Sequence, residues 1–582
     1  MKRKWMILFL LLGAVSVAVP ACTKDLTWPD EDTQASTDNN DDDDDDDEDD
    51  SSADDSGSDG GSTYTPTGAG STTVSIVFAS AGATVDGGND QTTITIKDND
   101  VTITYSGEEE MSYELSGTAS DGFFKLYSSY KQNLYLENLD LTNPAGAAIN
   151  VQSHKKVTVT LSGDNKLADG SSYSDAVSSE DMKAAFFSEG QLIFKGDGSL
   201  TVTAKGKSGI VSDDYFKLNG PTLKVSSTAA NGVKGADSLV VLSGSLDVTT
   251  SAATKKALSS DGLVRIAGGT TTLTVSGGTA YDSEDSEYKG SAGIKADGDF
   301  KMQGGSLTIK NTGQGGKGIN GDGAGYFTGG TVEINVSGSN YGSSGNQGGP
   351  WGGGGSSSSS VAAKGIKFDG ALTFSGSKVL VNASSHEGIE SKSTITVTGG
   401  QVYSYSKSDD GINAAGDFTI SGGQVCGYSA GNDGLDANGN LYIKGGIVYA
   451  IGSSNGEMGV DANSEGGKKL YVSGGTLVAL SGLESGASLT QSCYSTSSWN
   501  KGTWYGMYDG SNNLIFAFKT PSSAGSPLVV SYSSKPTLKS GITVSDGTSI
   551  FSGMGNIGGT TSGGSSVTLS SYSGGSGGGR PW

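Results

Sequence analysis

Residues 408–423 read SDDGINAAGDFTISGG, and residues 431–446 read GNDGLDANGNLYIKGG, an echo of the first at an interval of 23. In the unit that opens at Gly411 the apolar positions are Ile412, Phe418, Ile420 and Val425. One unit later they are Leu435, Leu441, Ile443 and Val448, and one unit earlier Ile389, Ile395, Val397 and Val402. Thr396, Thr419 and Tyr442 stand between the paired apolar residues, so the pattern has period two and the segments read as strands. Asp, Asn and Gly divide each unit into three short strands, and a unit of this length leaves no room for a helix. Each unit is therefore expected to be one coil of an all-β, parallel β-helix, with like side chains stacked in columns about 4.8 Å apart. The pairs Gly399-Gly400, Gly422-Gly423 and Gly445-Gly446 suit turns that need positive φ.

The interval recurs well beyond these two units. Others open at Gly209, Gly232, Gly293, Gly318, Gly365, Gly388 and Gly459, with insertions near Tyr281 and from Tyr341. Such a period marks a solenoid. Alternation at Leu192/Phe194 and Leu200/Val202 extends it toward the N-terminus, where strands from Val74 supply either first coils or a cap. Residues 71–490, at about 24 per coil, allow on the order of seventeen coils, fewer once insertions are removed.

The ends differ in character. Lys2, Arg3 and Lys4 precede an apolar run from Trp5 to Val19, too short to span a bilayer, which reads as an export signal over residues 1–21. Val19-Pro20-Ala21-Cys22 resembles a bacterial lipobox, making Cys22 the expected lipidation site, and Thr23-Lys24-Asp25 resembles a surface-export signal. A cell-envelope lipoprotein of the outer membrane, exposed at the surface, is the expected location. Residues 22–70 include DDDDDDDEDD from Asp41 to Asp50 and read as a disordered acidic tether. Residues 491–582 read as a β-rich segment packing on the helix, followed by a Gly/Ser-rich tail. The formal charge of −25 argues against a nucleic-acid partner, which requires a basic face. Beyond Cys22 only Cys426 and Cys493 remain, too few for a disulfide framework or a structural zinc site.

Acids gather in one part of the repeat. Just before the repeat glycine stand Glu387, Asp410 and Asp433, with Asp409 one place earlier in its unit; two residues after the glycine stand Glu390, Asn413, Asp436 and Asp461. Earlier units carry Lys234, Ser259, Lys295, Asn320 and Lys367 at the second position. Carboxylates at sheet spacing repel one another unless a cation lies between them, and several converging oxygens suit Ca²⁺. These eight residues are the candidate metal ligands. Turn chemistry alone explains such acids singly but not as two aligned columns. On the last strand of successive coils Tyr403 and Tyr405, Tyr428, and Tyr449 point outward, either as a ladder for stacking sugar rings or as a face covered by the aromatic-rich C-terminal segment. Catalysis finds little support. Arg265 and Arg580 are the arginines beyond the export signal, and neither His154 nor His386 has an evident triad partner, although a lysine base stays open.

SYELSGTASDGFFKLYSSYKQNLYLENLDLTN, AAINVQSHKKVTVTL, LADGSSYSD and the repeated DGINAAGDFTISGG resemble a family of secreted bacterial carbohydrate-binding β-helix proteins found on cellulose-degrading clostridia and similar in fold to pectate lyases. The resemblance runs from about Val74 to about Ser485. It implies a right-handed parallel β-helix with bound calcium and affinity for cellulose-like and acidic, pectin-like polysaccharide, without established catalysis. Calcium binding carries over to the acids of SDDGIN, GNDGLD and HEGIE, whereas KGIKFDG at Gly365 places lysines there. The expected function is surface-anchored, calcium-dependent, non-catalytic polysaccharide binding. The alternatives are a calcium-assisted lyase or hydrolase, and a structural adhesin.

Overall fold

The opening repeat resolves into three strands, Ile412–Ala414, Phe418–Ile420 and Gln424–Ser429. Each lies parallel to its counterpart one unit on, with Ile412 opposite Leu435, Phe418 opposite Leu441 and Val425 opposite Val448. All six of these side chains are buried, so like residues stack on like down the interior. Gly400, Gly423 and Gly446 have φ of 75°, 73° and 78°, and a Cβ on Gly422 would stand 2.3 Å from the Thr398 carbonyl oxygen. The first glycine of each pair is thus required by close approach of the coil below, the second by its backbone angle.

The computed structural model describes residues 62–64, 71–174, 180–342 and 360–574, and its regular structure is β apart from one 3-10 turn at Phe551–Gly553. Its main body is a parallel β-solenoid of about fourteen turns. One sheet passes through parallel strands from Asp100–Tyr105 to Leu435–Ala437 and continues as single bridges at Val460 and Leu483. The turns are fewer than length alone suggests because antiparallel pieces consume chain. Thr92–Lys97 and Asp100–Tyr105 form a hairpin, and Thr73–Phe78 pairs antiparallel with Thr84–Gly87 and parallel with Met111–Ala119. The segment from Val74 therefore both caps the solenoid and starts it. Ser62–Tyr64, inside the stretch expected to be tether, adds an antiparallel strand against Thr92–Lys97.

Two later features bear on function. The insertion near Tyr281 is an antiparallel hairpin of Ala280–Asp282 and Glu287–Lys289. Beyond the last coils, Leu528–Ser531 pairs antiparallel with both Thr476–Leu480 and Cys493–Thr496. A six-stranded antiparallel sheet containing Trp504–Tyr508 and Leu514–Lys519 brings Tyr505, Phe516, Phe518 and Phe551 into one buried cluster with Tyr403, Cys426, Tyr449 and Val478 of the solenoid. Cys426 and Cys493 are both free and buried. The expected export signal, Cys22, the acidic run, most of the insertion that begins at Tyr341, and Arg580 lie outside the described residues.

Candidate metal centre

Parallel pairing turns the spacing of the acids into real columns. Lys367 lies opposite Glu390, Glu390 opposite Asn413, and Asn413 opposite Asp436. The bridge from Leu435 to Val460 carries the register on to Asp461, and that from Val460 to Leu483 carries it to Glu484. The column thus runs through five consecutive coils. Glu484 was not picked out from the sequence, although Gly482-Leu483-Glu484 repeats the pattern of Gly388-Ile389-Glu390.

The structure splits the eight expected ligands into two groups. Glu387 and Glu390 face Lys364, whose Nζ lies 3.1 Å and 2.5 Å from their carboxylates, and Lys392 adds a second contact to Glu390. His386 Nδ1 lies 2.9 Å from Asp409 and also contacts Glu387. Burial alone would lower the His386 pKa, but Asp409 and Glu387 outweigh it and lift it to about 9, so the ring is cationic at neutral pH. Burial likewise pushes Glu387 and Asp409 up, and their cationic neighbours bring both net below the usual carboxylate range. Glu387, Glu390 and Asp409 were expected to ligate metal. Their charges are instead met by Lys364, Lys392 and His386, although Glu387, Asp409 and His386 oxygen and nitrogen atoms do lie within 4.8 Å of one another.

Asp410, Asp433, Asp436 and Asp461 have no such partner: among the described residues no lysine, arginine or histidine forms an ion pair with any of them. Oxygens of Asp433, Asp436 and Asp461 lie within 4.8 Å of one another. Asn413 ties the set together, its Nδ2 donating to Asp410 at 2.8 Å and to Asp436 at 3.2 Å. The backbone N–H of Asp433 donates to Asp410 at 3.1 Å. Asp410 is only 3 % exposed, and burial, then Asp436, Asp409 and Asp433, push its pKa far up. Burial raises Asp433 to about 8 against the opposing Met458 N–H, and raises Asp436 to about 6. Asp461 is pushed to about 11 by burial and by a hydrogen bond to Glu484. Uncompensated buried carboxylates are costly unless they are protonated or share a cation. A hard divalent ion that takes oxygen ligands, such as Ca²⁺, fits the converging carboxylates of Asp433, Asp436 and Asp461, with Asp410 and Asn413 beside them.

The tyrosines separate just as sharply. Tyr449 is fully buried, donates its hydroxyl to the Lys519 carbonyl at 2.9 Å, and packs on Phe518 at 5.5 Å between ring centroids. Tyr403 is 6 % exposed in the same cluster. These two expected sugar contacts are therefore corrected: the C-terminal sheet occupies the face they present. Tyr405 and Tyr428 remain half-buried beside it, 4.9 Å apart. On another face, Tyr442 and Tyr471 stack at 5.0 Å with planes 12° apart, and Lys444 Nζ stands 4.7 Å from the Tyr442 ring centre. This flat pair was not singled out from sequence, because an insertion stretches the interval between its members to 29 residues.

A family model described as a carbohydrate-binding domain-containing protein matches residues 97–274. A carbohydrate-binding domain-containing protein of Acetivibrio thermocellus is 30 % identical over 138 residues, 23 % of this chain and 46 % of the relative. The chain thus matches about half the length of that relative. A solved structure described as a polysaccharide lyase-like protein from C. thermocellum, a gadolinium derivative, is 21 % identical, covering 46 % of this chain and 92 % of the other with a TM-score of 0.32. The family match lies wholly before the acid columns.

Proposed function

We propose that this chain is a calcium-containing, polysaccharide-binding protein that holds glycan at the cell surface through a lipid on Cys22, without cleaving it. The carbohydrate-binding match over residues 97–274 supports the ligand class. The observation that carries the metal is the convergence of Asp433, Asp436 and Asp461, with buried Asp410 linked to them through Asn413, carboxylates with no cationic partner among the described residues. These residues and Asn413 would hold Ca²⁺ between successive coils, where the ion supplies positive charge that the chain itself withholds. Tyr442 and Tyr471, stacked on each other and half-buried, add an aromatic patch to this part of the solenoid beside which a sugar could lie.

Electrophoresis of the mature protein through gels containing cellulose derivatives, polygalacturonate or neutral controls tests this reading. Retardation is expected without any unsaturated product in the spent substrate; product formation would make the protein a lyase, and no retardation in any glycan would end the binding proposal. In parallel, Ca²⁺ at a hundredfold excess over its Kd is expected to add about 2.7 kcal/mol to unfolding stability. The double variant Asp433→Asn/Asp436→Asn should lose that increment and be more stable than wild type in chelator, since two carboxyl groups whose charged forms burial disfavours have been replaced by neutral amides. A wild-type protein indifferent to Ca²⁺ would remove the metal.

A further inference from the structure

The sheet face that turns acidic after Gly388 is basic before it, and the basic part is hollow. Its outward column runs Lys234, Ser259, Lys295, Asn320 and Lys367, each opposite the next. Beside it a second column runs Lys256, Ala292, Lys317 and Lys364. Glu287–Lys289 of the hairpin and residues of these columns together line an open recess of about 700 Å³.

Most of the ammonium groups here are already neutralised. Lys234 pairs with Asp261 at 2.7 Å, Lys295 with Asp297 and Asp322 at 2.6 Å each, and Lys367 with Asp369 at 2.7 Å. Lys289 is held by Asp282 and Asp285 of its own hairpin, with Glu287 at 4.0 Å. Lys364 belongs to Glu387 and Glu390. Lys256 and Lys317, which also line the recess, have no carboxylate partner among the described residues. Ala292 separates them in the column, placing their backbones about two sheet spacings, or roughly 10 Å, apart. Burial, and then neighbouring lysines, lower both to about 8, against the smaller opposing pull of Asp282 on Lys256 and of Glu390 on Lys317.

The hairpin also carries aromatic rings. Tyr288 lines the recess, with Tyr281 at 5.2 Å and Tyr341 at 5.0 Å between centroids, and Tyr281 is 55 % exposed. Exposed aromatic rings next to unpaired ammonium groups suit a ligand with both an apolar ring face and a negative substituent. A lysine ammonium binds an oxyanion as a point charge, so a planar carboxylate and a tetrahedral sulfate ester are both accommodated.

We propose that this recess binds an oxyanionic substituent, a carboxylate or a sulfate ester, on a sugar chain, with Lys256 and Lys317 as its cationic partners and Tyr281 and Tyr288 as its stacking surface. The recess adjoins the acid columns at Lys367, which lies opposite Glu390, but its lining includes none of the proposed metal ligands. It shares with the proposed function only the ligand class, polysaccharide. The chain's net charge of −25 works against indiscriminate uptake of polyanions, so retention of one requires a local site.

The test uses the mature chain in one calcium-containing buffer, with gels of polygalacturonate, dextran sulfate and neutral dextran. Wild type should be retarded by at least one of the two anionic polymers, and which one identifies the oxyanion. Lys256→Gln/Lys317→Gln should weaken that retention about tenfold or more, as expected for two lost charge-assisted contacts. Its melting temperature should not fall, because two poorly solvated charges have been removed. Tyr281→Ala should weaken retention without a change in folding. Retention of the anionic polymer unchanged in the lysine variant would overturn the proposal while leaving glycan binding intact. Failure of wild type to retain either polyanion would overturn it as well. Loss of retention on every glycan, cellulose derivatives included, would instead fall on the proposed function.

Discussion

His386 stands between the carboxylates of Glu387 and Asp409 in the coil where the solenoid changes from basic to acidic. Its folded pKa of about 9 lies above the ordinary histidine value near 6.5. A raised pKa means that the folded state holds the proton more tightly, so the stabilisation is complete below about pH 6.5 and is lost as pH rises through about 9. Thermal unfolding from pH 6 to pH 10 should therefore show a decline over this window that His386→Gln lacks; parallel profiles for the two proteins would refute the ion-pair role. The sequence displayed His386 beside an acid but not its charge state. That depends on Asp409, one coil on, and on the burial of all three side chains. The same holds for the aspartates. Asp410 and Asp409 are neighbours in the chain, yet Asp409 meets His386 whereas Asp410 turns toward Asn413 and the carboxylates of the next coil.

Among the elements, the C-terminal sheet alters the reading of the solenoid most. Tyr403, Cys426, Tyr449 and Val478 form one outward column through Gln401–Ser406, Gln424–Ser429, Ile447–Ile451 and Thr476–Leu480, a strip that would otherwise be an exposed apolar face. Phe516 and Phe518 close it, with Phe518 also stacked on Tyr505 at 5.5 Å. Phe518→Ala should cost about 3–5 kcal/mol in denaturant unfolding, the range for deleting a buried aromatic ring, and leave glycan retention unchanged. A cost below about 1 kcal/mol would show that the sheet does not form this second core. Period-two alternation marks these tyrosines as outward but says nothing of what lies outside. The residue that accepts the Tyr449 hydroxyl, Lys519, is 70 positions away in a segment with no repeat.

At the scale of the molecule, each coil touches chiefly its neighbours, so stability is passed along the solenoid step by step. An ion bound among Asp410, Asp433, Asp436 and Asp461 stiffens the coils that contain them and leaves distant ones alone. Removing Ca²⁺ should accordingly speed amide hydrogen exchange in the coils between Gly388 and Gly482, with protection of Ala184–Ser188 and Ser199–Ala204 unchanged; a uniform change along the chain would argue against a local metal. The repeat itself was legible because it is local. An interval of 23, alternating apolar residues and paired glycines dictate a parallel coil, and parallel pairing puts equal positions of successive units side by side, so the acid column and the column from Lys234 to Lys367 are legible in the sequence itself. Tertiary structure alone decided which of those charges are compensated, which tyrosines are covered, and that a hairpin borders the lysines. These outcomes depend on packing between segments with no shared period, and on desolvation, which gives the same carboxylate or ammonium group a different cost at each depth of burial.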